Sequence, residues 1–152
     1  MVELVKVEKN DLEELTDIAI ESFLEDKNKY GNFPPLIDID NHKLRYIDKG
    51  YAYNIVHNGK VIGGTCIFSN GNDNYTLGSI FIHPSSQNKG IGQEVISLIE
   101  ANFPNAKKWT LDTPYKSFRN HHFYEKMGYV KIGEEFPDKS SDFRLFLYEK
   151  IM

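Results

Sequence analysis

The spacing of apolar residues changes period several times along the chain, and each change marks an expected element. Residues 2–7 alternate Val, Leu and Val with Glu and Lys, the period of a half-buried strand. Leu12, Leu15, Ile18, Ala19, Ser22 and Phe23 then recur at helical spacing, with Asn10 or Asp11 placed to cap the helix. Residues 25–40 contain Tyr30-Gly31-Asn32-Phe33-Pro34-Pro35, whose prolines and glycine interrupt regular structure, so an ordered loop is expected. A short helix over residues 40–48, with Leu44 and Ile47 inward, completes this half. Strand patterning returns at residues 51–56. His57-Asn58-Gly59-Lys60 reads as a hairpin turn in which Asn-Gly supplies positive φ, and residues 61–68 run back. A second polar turn, residues 69–74, leads into a strand over residues 75–82. After it, Ile91, Val95, Leu98 and Ile99 predict a helix over 91–102, stopped by Phe103-Pro104-Asn105. A strand at 108–112, a short helix at 118–126, and strands at 129–135 and 143–149 finish the chain. A strand, a crossover helix and a strand imply one parallel pair within a mixed sheet.

The stretch Gln87-Asn88-Lys89-Gly90-Ile91-Gly92 therefore joins a strand to a helix. Two glycines let a ligand approach the backbone with no Cβ between them. The first amides of the helix point into the turn beside the positive end of the dipole. That is the chemistry of a phosphate seat, although a glycine-eased helix start reads the same way. A Walker turn is excluded, because Ile91-Gly92-Gln93 stands where Lys-Ser/Thr is required. The dinucleotide fingerprint also fails: Val95 occupies the place of its third glycine, and residues 83–89 separate the strand from Gly90.

The segment from Ile80-Phe81-Ile82-His83-Pro84 through Gln87-Asn88-Lys89-Gly90-Ile91-Gly92 resembles the acyl-CoA-binding motif of the GNAT superfamily of N-acetyltransferases. Phe123-Tyr124-Glu125-Lys126-Met127-Gly128-Tyr129 resembles the Tyr-Glu-Lys-x-Gly-Phe signature that closes the same fold. The resemblance implies an α/β (α+β) acyl-CoA N-acyltransferase fold: a twisted, mixed, mostly antiparallel sheet of about seven strands with about four helices, in one domain over residues 1–152. It implies acetyl-CoA as co-substrate. Ile80, Phe81 and Ile82 would pair with the pantetheine, Ile82 giving an N–H to the thioester oxygen, and Gln87, Asn88, Lys89, Gly90, Ile91, Gly92 and Gln93 would surround the diphosphate.

Moving acetyl from a thioester to an amine needs a base, because a lysine-like amine has a pKa of about 10.4, and a proton donor for the departing thiolate. The resemblance points to Tyr124 as the acid, the alternative being an aromatic on the inner face of a short helix. Reading back without gaps places Asp112 where members that acetylate protein N-termini carry a glutamate, so it is the candidate base; a strand-end carboxylate paired with Lys is the other reading. Where many members have an asparagine contacting the pantetheine, this chain has Ser117. Asn120, four residues before Tyr124 and so on its face, is favoured for that contact, with Ser117 capping the helix. Glu21 and Glu25, both placed on the first helix, are candidates for holding a cationic acceptor. His83 is a second candidate base or an ordinary polar strand end. Lys89 and Arg119 either meet coenzyme phosphates or are solvated. His121 and His122 are adjacent and cannot chelate, so no metal is expected. Cys66 reads as core.

Composition narrows the rest. With 18 basic and 22 acidic residues and a net charge of -4 there is no electrostatic case for nucleic acid or an anionic membrane, and a cationic acceptor is mildly favoured. A single cysteine and a charged start imply a cytoplasmic protein. The expected activity is direct acetyl transfer to a primary amine of a small molecule or peptide in a ternary complex. A catalytically silent acyl-CoA sensor is the alternative, and a nucleotide-binding domain the third reading. A homodimer whose neighbouring subunit helps build the acceptor pocket is left open.

Overall fold

The computed structural model describes all residues, Met1–Met152. Seven strands form a mixed sheet in the order β1-β4-β5-β6-β7-β9-β8, and four α-helices accompany it, as expected. The strands are β1 (Val2–Lys6), β4 (Tyr51–His57), β5 (Lys60–Gly71), β6 (Asn74–Ile82), β7 (Lys108–Pro114), β8 (Val130–Glu135) and β9 (Leu145–Ile151). A separate pair, β2 (Ile37–Asp38) and β3 (Lys43–Leu44), is antiparallel. No helix is long and apolar enough to cross a membrane. The chain divides into two compact units, Met1–Phe68 with Ser79–Phe103, and Ser69–Gly78 with Pro104–Met152.

In the first unit, α1 (Leu12–Ser22) buries Leu15, Thr16 and Ala19, and Leu15 and Ala19 pack into a cluster with Leu36, Ile37, Leu44 and Phe81. Asp11 stands at its N-cap, as expected, but makes no side-chain capping bond to it. A 3-10 turn at Lys9–Asp11 precedes the helix, capped by Glu8, whose N–H donates to Asp11 Oδ2 at 2.7 Å. The loop expected over 25–40 begins instead as a second helix, α2 (Leu24–Tyr30), closed by Gly31 at φ 85°. Glu25 accordingly stands on α2, not on α1. The helix expected over 40–48 is absent: His42 and Tyr46 adopt φ of 49° and 65°, incompatible with a right-handed helix. Asp38 closes the turn by accepting from the Asn41 amide and side chain, so Leu44 reaches the core from β3. The β4–β5 hairpin turns on Asn58 (φ 53°) and Gly59 (φ 79°) as predicted. Helix α3 (Ile91–Asn102) buries Ile91, Val95, Ile96 and Ile99 and packs on β1; Ile96 takes the inward place expected of Leu98.

In the second unit, the turn between β5 and β6 is tighter than the six polar residues suggested. Asn72 and Asp73, at φ 56° and 61°, suffice as a two-residue turn, so Ser69 to Gly71 extend β5. The parallel pair is present and short: Asn74, Tyr75 and Thr76 face Lys108, Trp109 and Thr110, and the pairing stops there. β7 and β8 both pair antiparallel with β9. Helix α4 (Phe118–Lys126) has the expected bounds, while the last strand begins and ends two residues later than predicted. The core of this unit is Trp109, Leu111, Tyr124, Tyr129 and Tyr148, with Tyr75 stacked on Trp109 at 5.3 Å.

Candidate active site

The turn that follows β6 is built by side chains on either side of it. His83 N–H donates to Ile62 O at 2.7 Å, so the edge of residue 83 faces β5. Amide edges alternate along a strand, and the N–H and C=O of Ile82, and of Ile80 two residues earlier, therefore face the opposite way from β5. Phe81 O lies against Gly63 of β5, consistent with that alternation. Ile82 O accepts from Gln87 Nε2 at 2.8 Å, which folds the turn back on the strand end. A 3-10 turn at Pro84–Ser86 follows. It is capped by His83, whose Nδ1 accepts the Ser85 N–H and whose Nε2 meets the Glu21 carboxylate of α1. Both ring nitrogens are thus engaged in holding the turn.

Asn88 (φ 63°) and Gly90 (φ 76°) then take left-handed conformations, and Gly90 is the N-cap of α3 with no side-chain cap. The amides of Ile91, Gly92 and Gln93 have no acceptor within α3, as in the first turn of any helix. Nothing lies within 4 Å of where a Cβ on Gly90 would stand. A depression of about 460 Å³, lined by Gly90, Gln93, Glu94, Ser97, Leu98 and Val2, leaves this flank of the turn open. Lys89 is exposed. A second hollow, of about 480 Å³, lies against α1, with Glu14, Asp17, Glu21, Lys60, His83 and Ser85 in its lining.

The second unit carries Tyr124, Asp112, Ser117 and Asn120. Three polar contacts place α4. Asn120 Nδ2 donates to Thr113 Oγ1 at 3.3 Å, His121 Nε2–H donates to Pro114 O at 2.9 Å, and Tyr148 Oη–H donates to Glu125 Oε2 at 2.8 Å. His121 also stacks on Phe146 with ring centres 4.7 Å apart. Ser117 stands at the N-cap and is buried, but its side chain makes no capping bond, so the expected cap is not formed. Asn120 is exposed while tied to β7.

Tyr124 is only 8% exposed, with its ring edge-on to Phe123 and Tyr129. Burial, and then the negative charge of Asp112, push its phenol well above the ordinary range, so it stays protonated at any physiological pH. Asp112 faces Leu147 across the β7–β9 pair, whereas Leu111 and Thr113 face Tyr148 and Phe146 on the side that α4 covers. Alternation therefore turns Asp112 to the opposite side of β7 from α4. Its residue is exposed at one side, yet partial desolvation and then the Glu135 carboxylate raise its carboxyl above the usual aspartate range. Cys66, 1% exposed, has its thiol pushed up to about 11 by burial and is unsuited to nucleophilic work. The Glu21–His83 and Glu125–Tyr148 contacts were not anticipated, since each joins residues distant in sequence whose types carry no mutual signal.

The model of a family described as the acetyltransferase (GNAT) family matches residues 12–129. An uncharacterized Bacillus subtilis (strain 168) protein, YrkN, is 34% identical over 74 residues; the match takes in 48% of this chain and 40% of that protein's length. The ribosomal-protein-S18-alanine N-acetyltransferase of Escherichia coli superposes with a TM-score of 0.71 at 14% identity, covering 99% of this chain and 94% of that one. A GNAT family acetyltransferase from Elizabethkingia anophelis, solved with acetyl-CoA bound, gives 0.67 at 16% identity over 100% and 97% of the two chains. At these identities the two solved structures establish likeness of fold.

Proposed function

The chain belongs to the GNAT family of acetyltransferases, and from that premise we propose that it moves acetyl from acetyl-CoA to a primary amine by direct attack in a ternary complex. Acetyl-CoA is the co-substrate in this reading, in keeping with the acetyl-CoA held by the Elizabethkingia structure of like fold. The diphosphate would sit on the amides from Asn88 to Gln93, where two left-handed residues and an uncapped helix start gather donors around an open space. The outward edges of Ile80 and Ile82 would pair with the pantetheine amides, the Ile82 N–H meeting the thioester oxygen, and Ser117 or Asn120 would contact the same arm.

The amine nitrogen then bonds to the carbonyl carbon and the C–S bond breaks. Asp112 would take the amine proton, through a water, because aspartate is a methylene shorter than glutamate. Its raised pKa makes it a stronger base than an ordinary carboxylate. Tyr124 would give a hydrogen bond to the departing sulfur and pass it a proton, with solvent returning one to the phenol in the same step so that no phenolate is left. Burial keeps the phenol protonated near neutrality, and so a donor when the sulfur departs, while disfavouring the phenolate that a lasting transfer would leave.

The observation that carries the reading is the open turn at Gly90. The test is release of free thiol from acetyl-CoA with spermidine, alanine amide and lysine methyl ester, in wild type and Tyr124→Phe. The enzyme should lose about 10²-fold or more in kcat on that substitution while acetyl-CoA affinity changes little. Tight acetyl-CoA binding without turnover by wild type would instead mark a silent sensor.

A further inference from the structure

Tyr148 sits on β9, the middle strand of β7-β9-β8, and is 1% exposed. A phenol buried that deeply must find a hydrogen-bond partner or bear a desolvation penalty. Its partner is Glu125 Oε2 at 2.8 Å, on the residue next to Tyr124. Burial and this carboxylate push the Tyr148 phenol up to about 12, so it remains a donor throughout the physiological range. The other polar ties of α4 to its sheet, Asn120 to Thr113 and His121 to Pro114, lie at the helix's N-terminal half. They fix where α4 begins. On the turn that carries Tyr124 itself, the tie to the sheet is Glu125 to Tyr148. The helix ends two residues beyond Tyr124, at Lys126: Tyr129 N–H donates to Tyr124 O at 2.9 Å, and Gly128 is left-handed at φ 99°.

We propose that Tyr148 is a positioning residue for acetyl transfer: through Glu125 it sets the rotation of the last turn of α4 and so holds the Tyr124 hydroxyl where the departing sulfur needs it. This rests on Tyr124 acting as the proton donor. Glu125 then serves the reaction through its carbonyl-type oxygen as an acceptor, and its charge is dispensable.

That last consequence makes the inference testable apart from stability. Steady-state thiol release from acetyl-CoA with the same three amines is measured below the melting temperature of every variant. Tyr148→Phe and Glu125→Leu should each lower kcat about tenfold with KM for acetyl-CoA within about twofold of wild type, the pattern of a displaced catalytic group. Glu125→Gln, which keeps an oxygen for the phenol, should stay within about twofold of wild type. A merely structural tie would lower the melting temperature of Tyr148→Phe and leave kcat alone. If Tyr148→Phe fails to fold, the contrast between Glu125→Leu and Glu125→Gln decides. Unchanged kcat in Glu125→Leu, or equal losses in Leu and Gln, overturns the inference while a dead Tyr124→Phe leaves the proton-donor reading standing. Full turnover in Tyr124→Phe, or no release by wild type with any of the three amines, removes that reading and the inference together.

Discussion

Replacing Gly90 by Ala tests the phosphate seat with a built-in control. At φ 76° an alanine is strained, at a cost of about 1 kcal/mol, but the new methyl meets nothing within 4 Å. For a chain of 152 residues that strain should lower the melting temperature by about 2–4 °C. Gly59, in a hairpin turn, and Gly71, at the end of β5, have φ of 79° and 83° and equally open surroundings, so Gly59→Ala and Gly71→Ala should lose about the same. The variants part when ligand is added. Acetyl-CoA at a hundredfold its wild-type Kd adds about 2.7 kcal/mol, a rise of about 5–11 °C. If the methyl at Gly90 weakens the diphosphate contact tenfold, the same concentration adds about 1.4 kcal/mol, and the rise is halved in Gly90→Ala alone. Differential scanning fluorimetry across an acetyl-CoA titration reads both effects. An undiminished rise in Gly90→Ala refutes the seat, because the strain would then be present without any consequence for the ligand.

Three further outcomes concern Asp112 and Gly63. A base must be deprotonated to act, so kcat/KM should fall as pH drops through the Asp112 pKa, with the acidic limb above the usual aspartate value of about 3.9 and lower in Glu135→Gln. Above that raised pKa the folded state disfavours the ionised carboxylate relative to the unfolded chain, so Asp112→Asn should melt no lower than wild type at pH 7 while losing turnover. A Cβ on Gly63 would stand 2.0 Å from Phe81 O, a backbone atom that cannot swing aside, so Gly63→Ala should lose about 3 kcal/mol or more by urea unfolding.

What could be read from the chain beforehand follows a physical line. Elements set by local chemistry were legible: the Asn58-Gly59 hairpin, the helix bounds of α4 and the break before α3 all depend on residues within a few positions. Where two local signals competed, long-range packing decided. Pro34-Pro35 and Gly31 correctly announced a break, yet residues just before them form α2, because a helix can end on a left-handed glycine without any warning in its interior. Leu44 and Ile47 are as compatible with a short helix as with a strand. The Asp38–Asn41 turn and the pairing of Ile37 with Leu44 settle the matter in favour of the strand, and neither is visible as a period.

The candidate site divides along the same line. The seat is a property of one short stretch, and its glycine and Asn88 conformations carry their own explanation in the sequence. The orientation of the reacting groups is not such a property. Period two puts Asp112 and Leu111 on opposite sides of β7, but only the register with β9 and the contacts of α4 say which side the helix covers. The same holds for Glu125, a motif residue whose neighbours in sequence give no hint of Tyr148. Its partner lies 23 positions away, on β9. Where that strand begins and ends does not alter which of its residues share a face, since Phe146 and Tyr148 alternate with Leu147 in either case; what decides that this face meets α4 is the pairing of Tyr148 with Leu111 and of Phe146 with Thr113, and pairing register is not written in either strand alone.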